Sequence, residues 1–162
     1  MAPLKELSAV STTLNDKSNK VTALLNEFQR KLCAMNLGVE AWVTSSPLTE
    51  TLRVERYQGS ILLDSPKHQS HDEQLGFGPL GDKWGLLVRT VILERSQYEA
   101  NIGEGYDWDL VDEGTPTALL QASRPTRIAA LSRLDALVRA LTAKAEKVVK
   151  SIDSAEETIN AL

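Results

Sequence analysis

Two groups of side chains in this sequence have the residue types that chemistry uses. His68 and His71, followed directly by Asp72 and Glu73, set two imidazoles beside two carboxylates. Such a set can ligate zinc or another transition metal, and could activate water in a metal-dependent hydrolase. The chain has only 2 histidines, so a full zinc shell would have to recruit carboxylates or a second subunit. The second group is Glu104, Asp107, Asp109, Asp112 and Glu113, spread around Tyr106 and Trp108 in a glycine- and acid-rich stretch, 101–114, that reads as a connecting loop with no basic residue in it. Hard oxygen ligands at that spacing suit calcium or magnesium, although glycine and glutamate miss the register of the helix-flanked calcium loop.

Each group also has a plain structural explanation. The histidines fall at the end of a polar stretch, residues 64–72 with Pro66, that reads as an exposed loop. Asp112 and Glu113 precede an expected helix start, where negative charge is favourable. His68, His71, Asp107 and Asp109 are therefore weak candidates for metal ligands, and no resident cofactor is expected.

A nucleophile is harder to find. Cys33 sits on the wide apolar face of the first expected helix, so burial is expected and reactivity is not. The chain has neither a G-x-S-x-G elbow nor a phosphate-binding or dinucleotide fingerprint. The run Gly76-Phe77-Gly78-Pro79-Leu80-Gly81 is glycine-rich, but it lies inside an expected hairpin rather than ahead of a helix. No catalytic constellation emerges, and the reading leans away from an enzyme. Trp84, Tyr106 and Trp108 could together form a surface for a small molecule.

The elements that would position these groups begin and end with helices. Leu131, Leu134, Val138, Leu141, Ala145, Val148, Ile152, Ala155, Ile159 and Leu162 step by three and four along residues 123–162. That heptad pattern predicts one long helix presenting a stripe to another helix. Residues 4–35 read the same way, with Leu7, Leu14, Val21, Phe28 and Met35 every seventh residue. The apolar face is thin before Val21 and wide after it, whereas in the C-terminal helix it is wide to Leu141 and thin beyond. A wide face suits a helix on a core, and a thin one suits a helix–helix seam. Asn36 and Gly38 supply the stop for the first helix.

Between the helices the period changes to that of strands. Residues 39–44 and 52–57 alternate, and Gly59 turns the chain towards Ile61, Leu62 and Leu63. Gly81-Asp82 links two arms, 74–80 and 83–95, as a tight hairpin. The second arm is apolar on both faces, so it should be central in the sheet. Gly76 and Gly78 leave room for a close neighbour. Thr115-Pro116 predicts a short helix, and Ser123 with Pro125 the start of the long one.

The fold class expected is α+β: a small antiparallel sheet of about three to five strands, packed by N- and C-terminal helices. Those helices are expected to pair antiparallel into a coiled-coil-like stalk. The 162 residues suit a single domain, with a head over 21–141 and a stalk from 1–20 and 142–162. Apolar residues make up 42% and aromatics 5%, so the core should be aliphatic. The net charge of −4 argues against a nucleic-acid coat, and the basic residues of the last helix read as a solvated face. With no basic-then-apolar leader and no long apolar run, membrane association is not expected. One cysteine is compatible with a reducing compartment, and a cytoplasmic location is expected.

The function these features favour is a protein-binding or assembly module that oligomerises through its terminal helices, with a dimer the simplest form. Its seam would comprise Leu7, Leu14, Val21, Leu141, Val148, Ile152, Ile159 and Leu162. The alternatives are a ligand-sensing domain using Trp84, Tyr106 and Trp108, and a metal-dependent hydrolase using the histidines and the acidic stretch.

Overall fold

In a computed structural model the chain is α+β, with three α-helices and an antiparallel sheet. The structure describes residues 2–55, 67–100 and 103–162, with side chains described outside 53–55, 67, 96–100 and 103–107. The elements are α1 (Ala2–Ala34), β1 (Ala41–Trp42), β2 (Thr49–Glu55), β3 (Lys67–Leu80), β4 (Lys83–Ala100), β5 (Gly103–Glu113) and β6 (Thr117–Ala118). A 3₁₀ turn at Leu119–Gln121 leads to α2 (Arg124–Leu131) and α3 (Leu134–Asn160).

The sheet is built on the β3–β4 hairpin, whose register runs from Leu80 opposite Lys83 to His68 opposite Arg95. Gly81 takes the left-handed conformation the turn needs, with φ 66°. Each outer edge is shared by two strands. β1 and β2 both pair with β3, and β5 and β6 both pair with β4. Pro47 and Pro116 lie in the two interruptions, as expected of a residue that cannot donate to a ladder. Backbone bonds bridge the gaps: Val43 N to Leu75 O at 2.8 Å, Leu48 N to Glu73 O at 2.7 Å and Gly114 N to Thr90 O at 2.8 Å.

One face of the hairpin carries the core. Leu75, Phe77, Leu86 and Val88 meet Leu25 and Leu32 of α1, Ala130 of α2, and Leu137 and Leu141 of α3. All are aliphatic or small except Phe77, in line with the composition. The helices take separate places on that face. Near the C-terminal end of α1, Gln29 Oε1 accepts a hydrogen bond from Leu86 N at 2.8 Å. Ser123 caps α2, accepting from Thr126 N at 3.3 Å, with Pro125 in the first turn.

Several elements differ from the sequence-based expectation, each for a physical reason. The single C-terminal helix is broken at Ser132–Arg133, where Arg133 N bonds Ala130 O at 2.9 Å in a tight turn before α3 begins. Neither residue is a breaker, and the apolar stepping runs straight across them. The stretch around the histidines is strand, not loop: Lys67–Leu80 lies between β2 and β4, and Ser70 and Asp72 are buried. Residues 103–113 form β5, with a bulge where Ile92 faces Asp112 and Leu93 faces Leu110. The helix expected after Thr115-Pro116 is replaced by β6 and the 3₁₀ turn, which drop Leu119 into the core. Cys33 is exposed rather than buried, because the core row of α1 runs through Ser18, Leu25 and Leu32 instead. The expected strand end at Arg56 and Tyr57, the turn at Gly59 and the run 61–63 lie outside the described residues.

Other expectations hold. β4 is central, with Leu86 and Val88 buried on one face and Leu87 and Val91 also buried. Asn36 and Gly38 end α1 with φ of 47° and 62°. Gly76 is where a neighbour approaches: a Cβ there would lie 2.4 Å from the Trp42 ring. Gly76→Ala should therefore destabilise the fold by about 1–3 kcal/mol, read as a lower urea midpoint. In a Trp42→Ala background the same change should cost much less, and equal costs in the two backgrounds would place Trp42 elsewhere.

Candidate functional site

The residues with chemical potential do not converge. His68 and His71 are three apart on β3, and side chains alternate along a strand, so they project from opposite faces. His71 Nε2 lies 3.4 Å from Gln69 Oε1, and His68 shares the face of buried Ser70 and Asp72. Asp109, Asp112 and Glu113 are β5 residues, and Glu113 is paired with Arg89 at 3.3 Å. Asp107 and Tyr106 belong to β5 by their backbone, and their side chains lie outside the description. Among the described residues no group of three or more His, Cys, Asp or Glu side chains could hold a metal ion.

The expected aromatic surface is not assembled either. Trp84 stands opposite Pro79 at the start of β4, and Trp108 stands opposite Arg95 near its other end. At ~3.3 Å per residue those two levels are about 36 Å apart along the strand. Trp84 instead packs on Phe77, with ring centroids 5.7 Å apart. Its carbonyl oxygen accepts from the Cys33 thiol at 3.4 Å.

A polar cluster that sequence reasoning missed occupies the sheet face away from the helices. The Arg89 guanidinium carbon lies 4.2 Å from the centroid of the Trp42 ring. Arg89 Nε donates to Gln74 Oε1 at 3.1 Å, and the head group pairs with Glu113. The Trp42 indole donates to Glu40 Oε1 at 2.6 Å. Ser70 donates to Asp72 beside the cluster. The charges and polar atoms are matched to each other, so the cluster holds the sheet face together rather than offering open valences.

The open surface of the molecule lies on the helices. Between α1 and α3 runs a groove of about 780 Å³. Phe28, Leu32, Leu141 and Val149 give it an apolar lining, and Lys31, Glu146, Lys150 and Asp153 stand around it. Lys31 bonds Glu27 at 3.0 Å, and that hydrogen bond and charge hold the Glu27 carboxyl below its usual range. On the other flank of α3 a second groove of about 480 Å³ includes Val39, Val148, Ile152 and Ala155. An apolar channel between helices with charged margins is the form that accepts an amphipathic helix.

Beyond the grooves both terminal helices outrun the body. Every residue of 2–17 and of 146–162 is exposed. The seam residues Leu7, Leu14, Val148, Ile152, Ile159 and Leu162 are among them, while Val21 is half-buried and Leu141 is buried. Arg124 Nη2 donates to Asn15 Oδ1 at 2.7 Å, and Arg127 Nη1 to Thr22 Oγ1 at 2.8 Å. Residues 28–35 then face α3 from Val138 onward. α2 thus runs beside α1 in the same chain direction. Within one chain neither stripe covers the other.

The Arg89 cluster supplies a stability test. Arg89→Met should cost about 1–3 kcal/mol, because buried Gln74 loses its partner. Glu113→Gln should cost under about 1 kcal/mol, since that carboxylate is half exposed. Denaturant unfolding of the two variants checks the order, and equal losses would remove the stacked arginine from its central role. No family model, no curated protein and no solved structure matches this chain.

Proposed function

We propose that this chain is a non-enzymatic interaction module that assembles with itself through its terminal helices. The observation that carries this reading is the exposed apolar row of α3. Val148, Ile152 and Ile159, with Ala155 between the last two, hold the seam positions of its projecting part, Leu162 follows just past its end, and Ile152 is 53% exposed. A scattered exposed aliphatic needs no explanation, but a continuous heptad row on a projecting helix invites a second helix. α1 adds Leu4, Leu7, Val10 and Leu14 on its own free half.

Energetics favour the same conclusion. A projecting helix of this length is marginal in water unless a neighbour buries its apolar face. The exposed seam of α3 is therefore closed between chains rather than by α1 of the same chain, with a dimer as the smallest closed assembly. The grooves beside α3 supply the place where a partner helix continues onto the body.

Light scattering should give a mass twice the 17.8 kDa of one chain, with dissociation on dilution. Replacing Val148 and Ile152 together by Asp should raise the dissociation constant at least about a thousandfold, given ~1.5–3 kcal/mol per aliphatic side chain buried. The melting of the head should change little, because both positions are exposed. A monomer at every concentration of the unaltered chain would sink the proposal.

A further inference from the structure

We infer that the α3 helices of two copies pair antiparallel about a two-fold axis at Lys150. The inference rests on the self-assembly proposed above and adds the pairing geometry. Its first support is a mirror in the sequence. Reversal about Lys150 lays Val148 on the partner's Ile152 and Ala145 on the partner's Ala155. It also brings Leu141 level with the partner's Ile159, and Val138 level with the partner's Leu162. From Val138 onward each seam position thus falls level with a seam position, as an isologous antiparallel contact requires, and Leu141, buried in its own chain, marks where that contact reaches the body. Size is matched at the centre, alanine to alanine and valine to isoleucine.

Charge is the second support. Residues 139–150 carry Arg139, Lys144, Lys147 and Lys150 against one acid, Glu146. Residues 153–157 carry Asp153, Glu156 and Glu157 and no base. Antiparallel pairing sets the basic segment of each copy against the acidic segment of the other. Parallel pairing would stack like on like. Arg139 is already bound to Asp135 at 2.7 Å, so the lysines carry most of the bias. Exposed charges of this kind contribute little affinity each, but they select direction. The free half of α1 has no comparable sorting, since Lys5, Glu6, Asp16, Lys17 and Lys20 mix both signs.

The third support is space. Leu141 is the last buried residue of α3, and α1 stops at Ala34. At Lys150 the axis brings the partner's Ile159 to the level of Leu141, at the groove mouth where Met35 is 62% exposed. The outer layers close against that rim, and the middle layers close helix on helix.

Single-cysteine variants of the full chain test the geometry, in a Cys33→Ser background and with a short bifunctional maleimide. Ser151→Cys lies two residues along the helix from its own copy across the axis, about 3 Å at 1.5 Å per residue. Ile159→Cys lies eighteen residues from its copy, about 27 Å by the same rise. The expected result is efficient dimer cross-linking through residue 151 and none through residue 159, with a dimer by light scattering. Equal cross-linking at both positions would mean a parallel pair and overturn the inference. A dimer by scattering that cross-links at neither would place the contact on another surface, again overturning it while self-assembly stands. A monomer by scattering would overturn both.

Discussion

Burial of two helix rows on a patch of four sheet residues is the constraint from which the rest of this structure follows. Leu75, Phe77, Leu86 and Val88 form the patch, and Leu25 with Leu32 and Leu137 with Leu141 form the rows. Each row covers only about two turns of a helix that is far longer: α1 has 33 residues and α3 has 27. The sheet at this point is four strands wide, with β1 beside β3 and β6 beside β4, and both helices are longer than its width. The helices must therefore either stop at the edge of the patch or carry their apolar faces beyond it. They carry them beyond it, and the exposed seams follow from that choice.

The opposite face of the same strands solves a different problem. β4 is central and buried on both sides, and among the described residues the helices pack on its first face alone. Trp42 does part of that work, lying close over Gly76, where any Cβ would displace it. Arg89 stacks on the indole and is held there by Gln74 and Glu113. Arginine suits the position because its planar head can stack and bond in its own plane at once. Charge near an apolar sheet face is tolerable here because each donor meets an acceptor.

What was legible in the sequence was periodic. The hairpin at Gly81-Asp82, the central position of β4 and the stop at Asn36 and Gly38 all rest on local signals that tertiary structure did not override. The widening of the apolar face at Val21 falls one turn after Ser18, the first buried residue of α1, and the thinning past Leu141 marks where α3 leaves the body. Residues 67–72 carried no such signal. Lys67, His68, Gln69, Ser70, His71 and Asp72 include no apolar residue, and only the strands on either side make them β. In β5 the signal existed, in the alternation of Tyr106, Trp108 and Leu110 with Asp107 and Asp109, but acidic and glycine composition masked it. The Arg89–Trp42 contact joins residues 47 positions apart in the sequence through strand register, so no local pattern could announce it.

The break at Ser132–Arg133 shows why periodicity can locate a surface without giving its geometry. The three–four stepping passes through the turn because α2 and α3 both put their apolar residues towards the same sheet. Yet the turn separates α2, which is bonded to the middle of α1, from α3, which lines a groove with its C-terminal end. Had residues 123–162 formed one straight helix antiparallel to α1, the two thin seams would have met within a single chain. In the structure α2 runs with α1 rather than against it, and both thin seams are exposed. Exposure of both seams within one chain thus turns a reading of internal pairing into a proposal of pairing between copies. The same residues supply the seam in both cases, and the path of the backbone alone decides which partner they can reach.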